Sequence, residues 1–138
     1  MKKTILLLLV TCIGLVSCKK DNYTPGNNLP PNLTLLKYIN ANAWKPTNSS
    51  GQTLAVTIAV PELTRATFEN DEVALSISRG DNDVYTKMPF VDAAVSYTYD
   101  IQPGFITLFI QTTNDKTLIP PTPTFVSRLK IVLITSSL

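Results

Sequence analysis

Hydrophobic and polar residues alternate one by one along most of the chain that follows residue 32. The alternation comes in short segments that are separated by Gly, Pro, Asn and Asp, the residues that favour turns. A period of two places every second side chain on one face, which is typical of a strand with one buried side. The pattern predicts about seven strands, at residues 33–44, 54–60, 73–77, 84–88, 95–101, 105–110 and 125–134.

The remaining segments contain no long amphipathic helix, which argues against a parallel α/β sheet. Residues 62–69 have the composition of a short helical turn, Pro103-Gly104 predicts a tight turn, and residues 114–123 form a proline-rich loop. We therefore predict an all-β fold, an antiparallel two-sheet sandwich of the immunoglobulin type. An antiparallel barrel is the alternative, because periodicity does not distinguish the two.

Two strands need a further argument. Residues 33–44 also fit one or two helical turns, and we favour a strand because the neighbouring segments are strands. The run Ile131-Val132-Leu133-Ile134 is apolar on both faces. An open edge with that composition would aggregate, so we expect this strand to lie in the middle of its sheet.

The N-terminus has the layout of a secretory signal. A positive start, Met1-Lys2-Lys3, precedes an apolar run at residues 4–14, which is short for a membrane-spanning helix. Leu15-Val16-Ser17-Cys18 then resembles the lipobox of bacterial lipoproteins. That resemblance implies cleavage before Cys18 and attachment of lipid to its thiol. We expect a signal peptide at 1–17, the lipidated Cys18 with a flexible tether at 18–32, and a β-sandwich domain at 33–138.

Charge and cysteine content bear on nucleic-acid binding and on the presence of disulfides. The chain has 12 basic and 10 acidic residues. Without Lys2 and Lys3 each total is 10, so the mature protein is formally neutral, and no basic surface for nucleic acid is expected. The only cysteines are Cys12, within the signal, and Cys18. The domain therefore has no disulfide, and its core alone must hold it together.

A set of segments at strand ends and turns forms a recognisable series: Val60-Pro61-Glu62-Leu63-Thr64, Val73, Tyr85 through Met88-Pro89-Phe90, Ser96-Tyr97-Thr98-Tyr99 and Pro103-Gly104-Phe105-Ile106. These segments resemble those of small uncharacterised lipoproteins from Bacteroidota that carry an immunoglobulin-like domain. The resemblance covers about residues 44–134. It implies a β-sandwich anchored in the cell envelope, at the periplasmic or the outer surface of the outer membrane, and it implies no catalytic residues.

The residue types leave little room for catalysis. The sequence has no His, which excludes His-dependent triads, and it has no phosphate-binding glycine loop. Oxygen ligands for calcium are offered by Asp81-Asn82-Asp83, but the spacing is not that of a calcium loop. An integrin-binding tripeptide is spelled by Arg79-Gly80-Asp81. A solvated turn explains both motifs. A carboxylate pair is the one hydrolytic arrangement left, although nothing brings two together among Glu62, Glu69, Asp71, Glu72, Asp92 and Asp100. We expect no enzyme, no metal and no cofactor.

Aromatic residues are the candidates for ligand binding. Tyr97 and Tyr99 share one strand face, and Trp44 is the only tryptophan. Rings of this kind bind the apolar faces of sugars when exposed, whereas they belong to the core when buried. The sequence thus leads to two hypotheses. The first is a lipid-anchored, non-catalytic envelope protein that binds a partner or has a structural role. The second is a small carbohydrate-binding module of a surface glycan-uptake system.

The lipid anchor can be tested by one substitution. Replacing Cys18→Ala removes the thiol that would carry the lipid, so the protein should leave the membrane fraction. The measurement is the distribution of the protein between membrane and soluble fractions of its own cells, with Cys12→Ala as the matched control. A Cys18→Ala protein that stays with the membrane would contradict the assignment.

Overall fold

The computed structural model describes residues 32–47, 49–80, 83–115 and 117–136. The predicted signal peptide, Cys18 and the predicted tether up to residue 31 lie outside these residues, as do Asp81 and Asn82. The strands are β1 (Leu33–Ile39), β2 (Lys45–Pro46), β3 (Thr53–Ala59), β4 (Glu72–Ser78), β5 (Thr86–Lys87), β6 (Phe90–Asp92), β7 (Val95–Gln102), β8 (Phe105–Thr112) and β9 (Ser127–Ile134). A 3-10 turn, Ala41–Ala43, follows β1, and helix α1, Arg65–Asn70, connects β3 to β4.

The strands form two antiparallel sheets that pack on each other, which confirms the predicted sandwich. Sheet I has the order β1-β9-β4-β5, and sheet II has the order β2-β3-β8-β7-β6. Strand β9 lies between β1 and β4, as expected for its apolar composition. Residues 33–39 form a strand, also as expected, while the predicted strand at 84–88 is reduced to the two residues of β5.

The alternating pattern of the sequence becomes the core of the sandwich. In β8, Ile106, Leu108 and Ile110 are fully buried, and they face the inward residues of β9 across the space between the sheets. The intervening residues of both strands are partly or fully accessible, as the period of two requires. The buried residues of β9 are Ser127, Leu129, Ile131 and Leu133.

The strand order follows the immunoglobulin sandwich with two changes, one at β1 and one at the short β6, which is added to the sheet beside β7. In that fold, strands A, B, E and D form one sheet and strands G, F and C form the other. Here β2-β3-β8-β7 has the order A-B-E-D, and β9-β4-β5 has the order F-C-C′. The place of strand G beside F is taken by β1, which is the first strand of the domain and pairs with β9 over all seven of its residues.

Helix α1 begins where a capping residue is available. The hydroxyl of Thr64 accepts a hydrogen bond from the backbone N–H of Thr67 at 3.1 Å, which satisfies one free donor of the first turn. The helix lies within the predicted helical turn apart from its last residue. The preceding backbone is fixed by the β7–β8 hairpin: Gly104 donates to the carbonyl of Leu63 at 2.7 Å and accepts from the N–H of Val60 at 2.8 Å.

Two hairpins of sheet II use the left-handed backbone region in opposite ways. Gly104, in the β7–β8 turn, has φ +82°, a conformation that glycine adopts without a steric penalty. Ala93 and Ala94, in the β6–β7 turn, have φ +46° and +64°, where a Cβ atom is strained. A two-residue turn with positive φ at both positions favours Asn-Gly over Ala-Ala.

These turns predict opposite effects for two reciprocal substitutions. Ala94→Gly should raise the free energy of unfolding by about 0.5–1 kcal/mol, because the strain relieved exceeds the added flexibility of the unfolded chain. Gly104→Ala should lower it by about 1 kcal/mol, because it creates the same strain. Urea unfolding of both variants measures the two changes. A loss of stability in Ala94→Gly would contradict the account, and Gly104→Asn, which tolerates this conformation, should lose less than Gly104→Ala.

Candidate functional site

A cleft of about 210 Å³ opens between the two sheets at one end of the sandwich. Strands β4 and β8 end there, while β7 and β9 begin there. Its buried lining consists of Ile77 from sheet I, Ile110 from sheet II, Trp44 and Ser127, all less than 5% exposed. We call this space, with its exposed lining described below, the Trp44 cleft.

Trp44 is a buried lining residue of the cleft, and its indole N–H is an unpaired donor that solvent does not reach. The residue ends the 3-10 turn after β1, and its side chain packs in the core with 4% exposure. Its Nε1–H has no hydrogen-bond partner. Among the described residues, it is the only buried side-chain nitrogen or oxygen that lacks one. Buried polar groups are paired in the great majority of cases, since an unpaired one costs about 1–3 kcal/mol.

Arg79 closes one side of the cleft by joining the two sheets. It follows the last residue of β4 in sheet I, and its Nη2 donates to Oδ2 of Asp92, in sheet II, at 2.6 Å. Its guanidinium also lies 5.1 Å from the ring centre of Phe90 and 4.9 Å from that of Tyr97. The two rings are stacked, with centroids 4.7 Å apart and planes 9° from parallel.

The surroundings of Arg79 stabilise its charge. Partial burial lowers its pKa, but the hydrogen bonds and charges of Asp92 and Tyr97 outweigh that effect, so the pKa of Arg79 is raised above its usual value. The ion pair remains partly open to water, since the Arg79 and Asp92 side chains are 35% and 53% exposed. Such a pair contributes modestly to stability. Its main structural consequence is that the charge of Arg79 is balanced within the domain.

The third side of the cleft is the long connection from β8 to β9, residues 113–126. Its start is fixed by hydrogen bonds from the hydroxyl of Thr112 to the carbonyls of Asp115 and Leu118, at 2.6 and 3.1 Å. Thr117 donates its N–H and hydroxyl to the Asp115 carboxylate, which lowers the pKa of that carboxyl. The later part supplies Pro121, Thr122, Pro123, Thr124 and Phe125 to the cleft.

Exposed apolar side chains crowd this connection. Leu118, Ile119, Phe125 and Val126 are 56%, 66%, 57% and 47% exposed. Phe125 lines the cleft, so one of these apolar groups lies at its rim. An exposed aromatic ring at the rim of a concave surface is a feature of many binding sites.

The structure brings two of the three predicted aromatic residues together. Trp44 and Tyr97 both line the cleft, Trp44 as a buried residue and Tyr97 as a half-buried one. Tyr99 lies two positions further along β7 and packs against the core instead. Arg79 and Phe125 were not among the sequence candidates. In the sequence, Arg79 has the appearance of a turn residue. The length of the 113–126 connection, which is unusual for a sandwich, was a signal that could have pointed to Phe125.

The acidic candidates are dispersed. Asp83 forms an ion pair with Arg128 at 2.8 Å, and Glu69 forms one with Arg65 at 3.1 Å. Asp92 forms an ion pair with Arg79, and the carboxylate of Asp71 accepts a hydrogen bond from the N–H of Ser136 at 3.3 Å. Within the described ranges, no three His, Cys, Asp or Glu side chains gather as metal ligands would, and no helix there is long and apolar enough to cross a bilayer.

The chain was compared with family models, curated proteins and solved structures, and none of them matches it. The Trp44 cleft therefore has to be interpreted from its own geometry. It offers a guanidinium and hydroxyl groups beside buried isoleucines and the exposed ring of Phe125.

Proposed function

We propose that this chain is a lipid-anchored, non-catalytic binding protein of the cell envelope and that the Trp44 cleft is its ligand site. The observation that carries the proposal is a cleft between the two sheets that is lined by buried isoleucines and that has a guanidinium, hydroxyl groups and the exposed ring of Phe125 around it. A binding role is favoured over catalysis because the lining contains, among the described residues, no Asp, Glu, His, Cys or Lys side chain, the groups that most often act as acids, bases or nucleophiles.

The direction of β1 supports an arrangement in which the anchor and the cleft lie at opposite ends. The predicted tether enters at Leu33, which pairs with Leu133, and β1 runs from there to Ile39, which pairs with Ser127 in the cleft lining. Six residue steps span about 20 Å at roughly 3.4 Å each. An extended tether adds on the order of 40 Å. The cleft would thus face away from the lipid, available to a partner or a glycan.

The anchor itself is proposed from the sequence. Leu15-Val16-Ser17-Cys18 resembles a lipobox, and two or more acyl chains suffice to hold a protein at a membrane. By the resemblance to small Bacteroidota lipoproteins, we propose the outer membrane as its location, with the domain at the periplasmic or the outer surface.

A small carbohydrate-binding module is the second candidate. It is favoured by the ring of Phe125, which is exposed at the cleft rim beside two threonine hydroxyls and Arg79. Such a sugar site would differ from the site of exposed aromatic rings that the sequence suggests. Trp44 is buried and one neighbour of the Tyr97 ring is Phe90, so these rings do not form a flat exposed platform. A sugar would have to enter the cleft through one substituent.

Photo-crosslinking in intact cells tests the binding function. The substitution Phe125→p-benzoylphenylalanine places the reactive group at the cleft rim, while the same change at Phe105 places it at the opposite end of β8. The two phenylalanines are similarly exposed, at 57% and 46%, which makes the second a matched control. We expect one reproducible adduct from position 125 and none from position 105. No adduct, or the same adducts from both positions, would contradict a ligand site at this cleft.

A further inference from the structure

The four edges of the two sheets differ in length. Three of them are formed by strands of two or three residues, namely β2, β5 and β6. The fourth is β1, whose seven residues pair with β9 on one side and, among the described residues, with no strand on the other side. Very short edge strands protect a sheet against pairing with another chain. The edge of β1 lacks that protection.

We propose that two copies of this chain pair antiparallel through their β1 strands and form one continuous eight-stranded sheet. An edge strand presents a row of backbone N–H and C=O groups along its free side, and a second strand satisfies them. Pairing over the whole of β1 gives about six to eight backbone hydrogen bonds. Because it uses the one long edge that the described residues offer, the contact closes as a dimer and does not continue into a fibre. The inference is independent of the Trp44 cleft and of any ligand bound there.

The composition of β1 favours pairing with another strand. The strand contains no proline and a single charge, Lys37, whereas the edge strand β2 contains Pro46, which cannot donate to a ladder. The outward face of β1 carries Leu36 and Tyr38, which are 46% and 67% exposed. A second strand along this edge removes part of both side chains from water.

The single charge of β1 selects the register of the pair. Two identical strands related by a two-fold axis pair about a central residue, and only a centre at Leu36 uses all seven residues of the strand. Lys37 then lies opposite the second copy's Leu35, so no like charges are directly opposed. Moving the centre to Lys37 would place two ammonium groups opposite each other, which is destabilising.

The outward face is self-complementary in this register. The two Leu36 side chains meet on the axis. Tyr38 lies opposite the second copy's Thr34, and the second copy's Leu36 is its diagonal neighbour. Diagonal neighbours are about 7–8 Å apart, which is within reach of an aromatic ring. The two tyrosine rings therefore cover the leucines at the centre of the contact.

The cations of β9 do not oppose the pairing. On the outward face, Lys130 lies beside Leu36 and Arg128 lies beside Tyr38. The two Lys130 residues of the pair are three strand spacings apart, roughly 14 Å at about 4.8 Å each, which exceeds the Debye length of about 8 Å at physiological ionic strength. Arg128 forms an ion pair with Asp83 at 2.8 Å, which balances its charge within each copy.

The proposed lipid anchor is compatible with the pair and favours it. The two Leu33 residues lie at opposite ends of the paired strands, roughly 20 Å apart at about 3.4 Å per residue. An extended tether of on the order of 40 Å lets both lipids reach one membrane. Confinement to that membrane raises the effective concentration of the second strand. The pairing leaves each Trp44 cleft open at the end of the domain away from its own tether.

Disulfide crosslinking in intact cells tests both the contact and its register. The residues after Cys18 contain no cysteine, so an introduced thiol reports on its own surroundings. Leu36→Cys places two thiols opposite each other on the axis, with Cα atoms about 4.5–5.5 Å apart, a separation that a disulfide spans. Tyr38→Cys is the matched control on the same face of the strand. Position 38 is more exposed, yet its two copies lie about 14 Å apart along the strands.

Mild oxidation should convert most of the Leu36→Cys protein into a dimer on a non-reducing gel, with at least 10-fold less dimer from Tyr38→Cys. The double variant Thr34→Cys/Tyr38→Cys should recover the dimer, because each of its thiols lies opposite a thiol of the second copy. Thr34→Cys alone should not form it. No dimer from Leu36→Cys, as much from Tyr38→Cys as from Leu36→Cys, or no recovery in the double variant would overturn the proposed pairing.

A charge variant tests the pair without oxidation. Leu36→Lys opposes two ammonium groups on the axis, so the dimer of the detergent-extracted protein should dissociate at concentrations at least 10-fold higher than that of the parent, as measured by sedimentation. Phe105→Lys, in sheet II and also 46% exposed before the change, should dimerise as the parent does. Circular dichroism confirms that both variants are folded. A parent that is monomeric throughout, or a folded Leu36→Lys variant that dimerises like the parent, would contradict the proposal.

Discussion

Burial of the alternating apolar side chains of β8 and β9 is the interaction on which the rest of this domain depends. These two strands occupy central places in the two sheets, and their inward residues meet across the sandwich. Residues 19–138 contain no cysteine, so no covalent link supports the contact. Each fully buried aliphatic side chain contributes about 1.5–3 kcal/mol, which makes this row of residues the main source of stability.

The Trp44 cleft lies at the end of that core. At this end, polar rather than apolar contacts close the space between the two sheets. Ile77 and Ile110 are the last core residues of their strands before the cleft. Beyond them, Arg79 joins the sheets through Asp92 and the stacked rings, while the 113–126 connection covers the other side. The unpaired indole N–H is a cost that the hydrophobic core offsets.

Local patterns predicted much of the fold, because alternation, turn residues and helix caps act over a few residues. Residues 105–110 and 125–134 carry alternation strong enough to identify both the strands and their inward faces. The place of β1 in sheet I depends on pairing with β9, nearly a hundred residues later, and no local signal encodes it. The cleft was missed for the same reason: Arg79 reads as a turn residue until the fold brings Asp92, Phe90 and Tyr97 beside it. Trp44 and Tyr97, which line the cleft, were candidates on local grounds: Trp44 is the only tryptophan, and Tyr97 shares a strand face with Tyr99.

The proposed occupancy of the cleft end of the sandwich by a ligand can be tested by hydrogen exchange on membranes from the protein's own cells. Backbone amides exchange according to local opening, which a bound ligand reduces. The protein is compared on native membrane vesicles and after extraction and washing in detergent. Occupancy of the cleft predicts slower exchange on the vesicles in residues 77–80 and 121–127, with unchanged exchange in the hairpin around Gly104. Equal exchange in both preparations at the cleft, or protection confined to the opposite end, would contradict it.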